Sequence, residues 1–206
     1  MRRDAKRREV AGIIDSQSVK TTDRGGPHGY DGAKKLNGRK RHVIVDTTGL
    51  LLKVVVHPAD LQDREGVKLL LEPIKGVFPR LKKVWVDQGY TGKGRAWMEQ
   101  EMAWEVEVVR HPWRPRGMWT WPGMEITEEM VEVFKRPKGF RHLPRRWVVE
   151  RTFAWIGRHR RMSKDYEYLP SSSESRVQLT MIRLLLKRLA KSAESTRETT
   201  QRLRAA

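Results

Sequence analysis

Two kinds of apolar pattern run along the chain. Short runs, each closed by a polar or turn residue, predict strands. Longer stretches with apolar residues three and four apart predict helices. Positions 11–15 read Ala-Gly-Ile-Ile-Asp, a buried strand that ends on Asp15. Positions 21–37 are rich in Gly and Lys, include Pro27, and predict a loop. Val43-Ile44-Val45 predicts a second strand and positions 50–56 a third, with Asp46-Thr47-Thr48-Gly49 as the hairpin turn between them. Pro58 closes that strand. Asp60 and Asp63 are both placed to cap a helix that carries Val67, Leu70, Leu71 and Ile74 at helical spacing. Val84-Trp85-Val86 predicts a fourth strand ending on Asp87, positions 94–102 a helix, and positions 106–109 a fifth strand. The order β-β-β-α-β-α-β is that of an α/β fold with a mixed sheet.

The pattern breaks at about 111–140. Pro112, Pro115, Pro122 and Pro137, three tryptophans (Trp113, Trp119, Trp121) and the acids Glu125, Glu128, Glu129 and Glu132 fall here, as expected of an insertion with one short helix. Pro144 opens a strong helix over 145–161. A last helix is expected over 173–191, with Val177, Met181, Leu184 and Leu185 on one face and a cap from 171–173. Positions 1–10 are basic, without apolar pattern, and read as a disordered lead-in. Positions 193–206 read as a polar tail, which leaves 11–192 as one domain.

Charge narrows the function. Lys and Arg number 43 against 25 Asp and Glu, a formal net charge of +18, so polyanions are the expected partners, nucleic acid before acidic membrane. The chain has no cysteine, which excludes a disulfide framework, Cys-ligated zinc or iron–sulfur sites and a thiol nucleophile. Lys53 interrupts the apolar stretch at 50–56, and Lys187 and Arg188 the one at 184–189, so no membrane span is expected; the chain reads as cytoplasmic. The six histidines show no zinc-binding spacing, and neither a Walker A loop nor a Gly-x-Ser-x-Gly elbow is present.

Three acids stand out. Asp15 and Asp87 end buried strands, where α/β sheets place ligands; an acid so placed, taken alone, is more often a turn or capping acid. Asp46 has the same setting, but its turn sequence explains it structurally. Glu150 lies on the shoulder of a buried helical arc made by Val148, Val149, Thr152, Phe153, Trp155 and Ile156. It reads either as a site residue or as the (i, i+4) surface partner of Arg146, worth a few tenths of a kcal/mol. Around these acids stand seven arginines in 141–161, and Lys34, Lys35, Arg39, Lys40 and Arg41 in 31–42. Arg146, Arg151 and Arg158 are the expected DNA-backbone contacts, with Lys40 and Arg41 beside them.

Several segments, in order, resemble the DDE transposases of the Insertion Sequence Five group. Ile13-Ile14-Asp15-Ser16-Gln17-Ser18-Val19-Lys20-Thr21 is similar to the first catalytic segment, and Val86-Asp87-Gln88-Gly89-Tyr90 to the second. The third is matched by Leu143-Pro144-Arg145-Arg146-Trp147-Val148-Val149-Glu150-Arg151-Thr152-Phe153-Ala154-Trp155. Gly38-Arg39-Lys40-Arg41-His42 with the strand after it, and His57-Pro58-Ala59-Asp60 with Gln62-Asp63-Arg64, resemble the segments between. The resemblance implies an RNase H-like fold, with Asp15, Asp87 and Glu150 as a catalytic triad binding two Mg²⁺ ions, or Mn²⁺. It implies Mg-dependent DNA cleavage and 3′-hydroxyl strand transfer, acting on element ends and target duplex as a homodimer in the bacterial nucleoid. Leu143 stands where related enzymes often have Tyr, and Gly157 where they have Lys, with Arg158 adjacent. Only 14 residues precede Asp15, so the chain is expected to be a catalytic half, joined to the product of an upstream reading frame or truncated. The rival readings are a non-catalytic basic DNA-binding protein, an inactive remnant, and a nuclease of the same fold that cuts without joining.

Overall fold

A computed structural model describes residues 10–23, 25–109, 124, 125, 127 and 145–205. The expected lead-in lies almost wholly outside them, and so do nearly all of the insertion, its three tryptophans, and Leu143 and Pro144. Six strands, β1 (Val10–Lys20), β2 (Gly29–Asp31), β3 (Leu36–Asp46), β4 (Leu51–Pro58), β5 (Leu81–Val86) and β6 (Glu105–Val108), form one mixed sheet. The helices are α1 (Asp63–Leu71), α2 (Lys93–Met102), α3 (Trp147–Gly157) and α4 (Pro170–Ala205), with single 3₁₀ turns at Glu72–Ile74, Gln88–Tyr90 and Arg160–Met162.

The central ladder runs β4-β3-β1-β5-β6. β4, β3 and β1 are antiparallel, while β1, β5 and β6 are parallel; short β2 folds back on the start of β3. Such a mixed sheet is compatible with an RNase H-like fold. Successive side chains on a strand face opposite ways, so Ile13 and Ile14 serve different cores. Ile14, Ile44, Val84 and Val86 pack under α1 and α2 with Val67, Leu70, Leu71 and Met98. Ile13, Val43, Val45, Val54 and Val56 pack under α3 and α4 with Val149, Phe153, Ile156, Val177 and Met181. Helices thus cover both faces of the sheet, which keeps its strand ends as the accessible rim.

Several boundaries differ from expectation. β1 runs on past Asp15 to Lys20 and β3 starts at Leu36, because residues 15–20 pair antiparallel with residues 38–43 despite their polarity. α1 begins after Gln62, which makes no side-chain cap; Asp63 is already its first residue and turns to other partners. The helix expected over 145–161 ends at Gly157. α4 starts at Pro170, its first amides bonded to the Leu169 carbonyl rather than to a serine cap, and continues through the segment read as a tail. Ser173 instead donates to the Asp165 carboxylate at 2.7 Å. Of the expected apolar face, Val177 and Met181 are buried, but Leu185 is exposed. No described helix is long and apolar enough to cross a membrane.

Candidate active site

The parallel pairing of β1 and β5 sets Ile13 level with Trp85. Carried two residues on, the same register sets Asp15 level with Asp87, just beyond the end of β5. Each carboxylate is held by an amide close after it in sequence: Ser16 N donates to Asp15 Oδ1 at 2.8 Å, and Gly89 N to Asp87 Oδ1 at 2.7 Å. The third acid comes from α3. Its buried face, Val149, Thr152, Phe153 and Ile156, lies on the sheet, and Thr152 Oγ1 donates to the Gly49 carbonyl at 2.9 Å. That docking fixes the start of the helix, with Arg146 just before it and Glu150 in its first turn, beside Asp15 and Asp87.

One guanidinium joins the three acids. Arg146 Nη2 lies 3.3 Å from Asp15 Oδ2, 4.0 Å from Asp87 Oδ2 and 3.9 Å from Glu150 Oε1. The side chains are graded in exposure, Asp15 at 14%, Asp87 at 30% and Glu150 at 43%. Burial pushes the Asp15 carboxyl up to about 6, against the opposing pull of Arg146 and the Ser16 amide and with a smaller push from Asp87. Tyr90, fully buried beside the site, is held well above its usual range by burial and by the negative charges of Asp15, Asp63 and Asp87. With all three acids ionised, one guanidinium leaves two negative charges uncompensated. As they stand, no three His, Asp or Glu side chains among the described residues are spaced to share one ion. The donor set is nonetheless what a hard divalent cation takes: anionic oxygens only, converging on a group of positive charge.

The sequence profile described as the transposase DDE domain matches residues 6–185, most of the chain. The chain belongs to the transposase DDE domain family. A Burkholderia cepacia protein, named as an inferred transposase for insertion sequence element IS402, is 27% identical over 149 residues. That alignment takes in 69% of this chain and 59% of the relative, so this DDE domain spans about three fifths of that protein's length. DDE transposases are proteins of mobile elements that act on DNA with divalent metal ions.

The basic residues of this DDE domain divide differently from expectation. Arg146 is turned inward onto the carboxylates rather than outward toward a phosphate. Arg41 is 1% exposed, and its guanidinium donates to the carbonyls of Met162 (2.8 Å) and Lys164 (3.2 Å). That bonding removes it from the surface, and burial lowers its pKa. Lys40 is also buried, bonded to the Leu61 carbonyl at 2.7 Å and paired with Asp63 at 3.2 Å. Arg151 is half-buried over the Trp155 ring, 4.8 Å from its centroid, and donates to Thr48 O at 3.1 Å. Arg158 is exposed beside Trp155, Arg183 and Lys187, in an open cleft of about 320 Å³ between α3 and α4. Arg183 and Lys187 were not singled out by sequence; they lie outside the arginine-rich segment and reach it only through the packing of α4. Asp46 binds its own turn, taking bonds from Thr48 N (2.8 Å), Thr48 Oγ1 (2.7 Å) and Leu50 N (2.9 Å).

Proposed function

We propose that this chain is the catalytic part of a transposase of the Insertion Sequence Five group, which cuts DNA at the ends of a mobile element and joins the freed 3′-hydroxyl to target DNA. The observation that carries the reading is the single Arg146 nitrogen within 4.0 Å of Asp15, Asp87 and Glu150. Three acids, one on β1, one just past β5 and one on α3, face the same guanidinium nitrogen, and a surface Arg–Glu pair needs only one of them. The mixed sheet is compatible with the RNase H-like arrangement this reading requires.

Asp15, Asp87 and Glu150 would hold two Mg²⁺ ions, or Mn²⁺. Bound there, a divalent ion supplies Lewis-acid stabilisation of phosphate oxygens and a more acidic water. The chain's own part is to keep the oxygens fixed. Ser16 N and Gly89 N orient the two aspartates, and the packing of α3 sets the glutamate. In hydrolysis a water oxygen bonds phosphorus as the P–O3′ bond breaks, and the 3′-oxygen leaves as a hydroxyl. In joining, that hydroxyl bonds a target phosphorus and a second 3′-oxygen leaves. Neither step needs a covalent enzyme intermediate, in keeping with the lack of cysteine. Arg158, Arg183 and Lys187, which share one cleft and form no ion pair among the described residues, would contact the phosphate backbone.

The test is cleavage and strand transfer on duplexes carrying the element's ends, in Mg²⁺, with Asp15→Asn, Asp87→Asn and Glu150→Gln. Each should abolish both reactions while leaving DNA affinity near that of the parent. Cleavage without joining by the parent would favour a nuclease instead. No cleavage, with tight salt-sensitive binding, would favour a DNA-binding protein or an inactive remnant. A dimer on DNA, and an upstream partner that reads the element ends, complete the proposal.

A further inference from the structure

A polar cluster adjoins the two aspartates, a half-buried Asp63 backed by the buried Lys40, His42 and His57, and the chemistry above makes no use of it. Its centre is Asp63, the first residue of α1. Asp63 Oδ1 accepts from Ser16 Oγ at 2.9 Å and lies 3.2 Å from Lys40 Nζ. Lys40 is itself anchored on the Leu61 carbonyl. On the other side Asp63 abuts Gly89, where a Cβ would stand 3.2 Å from Asp63 Oδ2. Ser16 and Gly89 are the two residues whose amides hold Asp15 and Asp87. One carboxylate therefore bonds Ser16, next to Asp15, and lies close to Gly89, two residues past Asp87.

Behind Asp63 the cluster is closed by a histidine pair. His57 Nδ1 is 2.8 Å from the Pro58 carbonyl, which can only accept, so that nitrogen carries the proton. His57 Nε2 then accepts from His42 Nδ1 at 2.8 Å, and His42 presents Nε2 as a lone pair 3.8 Å from Asp63 Oδ1. Both rings are neutral, because burial lowers their pKa values, that of His42 to about 3. His42 Nε2 has no hydrogen-bond partner among the described residues. A neutral acceptor there gives Asp63 no proton to bind, so its bonds are directed to Ser16 and Lys40. His42 and His57 also close over Gly66 of α1, where a Cβ would lie 2.6 Å from His42 and 2.7 Å from His57, which fixes the helix start that carries Asp63.

We propose that Asp63 is a positioning residue for the metal-holding carboxylates, acting through Ser16 on Asp15 and through Gly89 on Asp87. This rests on the reading of Asp15, Asp87 and Glu150 as the metal-binding acids. Removing Asp63 frees the Ser16 hydroxyl, leaves Lys40 buried without its counter-charge, and lets the two amides drift from the aspartates they hold. Partners that orient metal ligands are typically worth 10–100-fold in metal affinity or activity.

The experiment is Mn²⁺ titration calorimetry on the protein without DNA, beside a melting curve and a DNA-binding isotherm for every variant. Asp63→Ala should weaken Mn²⁺ binding about tenfold or more with DNA affinity unchanged, and Asp63→Asn, which can still accept from Ser16, should restore part of it. Ser16→Ala cuts the link to Asp15 but keeps the Asp63–Lys40 pair, so it reports even if Asp63→Ala does not fold; a severalfold loss is expected. Parent-like Mn²⁺ affinity in folded Ser16→Ala or Asp63→Ala overturns the proposal, and so does an Asp63→Asn no better than Asp63→Ala. Asp15→Asn separates the two readings. If it too binds Mn²⁺ like the parent, the metal-site assignment has failed; if it alone loses binding, only the role of Asp63 has.

Discussion

Two aspartates follow almost the same residues and do opposite things. Asp15 closes Gly-Ile-Ile-Asp and Asp46 closes Val-Ile-Val-Asp, on strands that are neighbours in the sheet. Those strands are antiparallel, with Gly12 level with Asp46, so Asp46 falls three residues short of the level of Asp15, toward the other end of β1. There the Asp46 carboxylate is satisfied by three bonds from its own hairpin turn. Asp15 receives one amide bond and one guanidinium, and burial raises it to about 6. A turn acid is one whose own loop uses up its acceptors. A site acid keeps acceptors free at a cost in stability, on a rim that a parallel neighbour shares.

The largest separation between the two should be in chemistry. Asp15→Asn should lower Mg²⁺-dependent cleavage by roughly 4 kcal/mol of barrier, about a thousandfold, whereas Asp46→Asn should stay within severalfold of the parent, as read by initial nicking rates at saturating DNA. Equal losses would erase the distinction.

Stability should move the other way. The fold binds the Asp15 proton more tightly than the unfolded chain does, since the pKa rises from 3.8 to about 6. Below about pH 4 both states are protonated and nothing is lost; above about pH 6 the folded protein carries the whole penalty of an ionised buried acid, about 3 kcal/mol. In metal-free urea unfolding, Asp15→Asn should therefore be more stable than the parent at pH 7.5, with the gap closing as the pH falls toward 4. Asp46→Ala should instead be less stable by about 1 kcal/mol at neutral pH, having lost its turn bonds. A destabilised Asp15→Asn at pH 7.5 would mean that the site is not strained.

The basic residues repeat the contrast. Arg41→Ala should cost about 2–3 kcal/mol, because the Met162 and Lys164 carbonyls lose their donor. Its effect on DNA affinity, measured under conditions where the variant is folded, should be small. Arg158→Ala should change stability by no more than about 0.5 kcal/mol yet make the log–log salt dependence of DNA binding shallower by about one unit. An unchanged slope would place DNA away from the α3–α4 cleft.

How much of this was legible in the sequence follows from what is local. The apolar cores of the strands, the Asp46 turn, and the buried arc of α3 depend on neighbours within a few residues, and patterns of period two and 3.6 display them; the polar continuations of β1 and β3 do not show in such patterns. From sequence, Lys40 and Arg41 are expected at the DNA backbone, because a basic run carries no sign of the acceptors it meets in the fold. Arg39 and Arg41 are buried instead, and apart from the Pro27 carbonyl on Arg39 their acceptors arrive from residues 162–168, more than a hundred positions on. Asp63 was visible only as a helix-start acid; its bond to Ser16 spans 47 residues and leaves no trace in spacing. Arg146 was read in both senses, as a surface partner of Glu150 and as a DNA contact. Only the β1–β5 register shows that the same guanidinium also reaches Asp15 and Asp87.

The central claim is that Glu150 belongs with the two aspartates and not with Arg146 alone. It is tested most directly by the rate of Mg²⁺-dependent nicking by Glu150→Gln on element-end DNA, at a protein concentration that saturates the DNA. The amide keeps the side chain's shape and its ability to accept from Arg146, and removes only the charge. The account predicts a fall of about a thousandfold with the DNA-binding isotherm unchanged. A Glu150→Gln protein that nicks at the parent's rate would contradict it, and would leave Glu150 as the surface partner of one arginine.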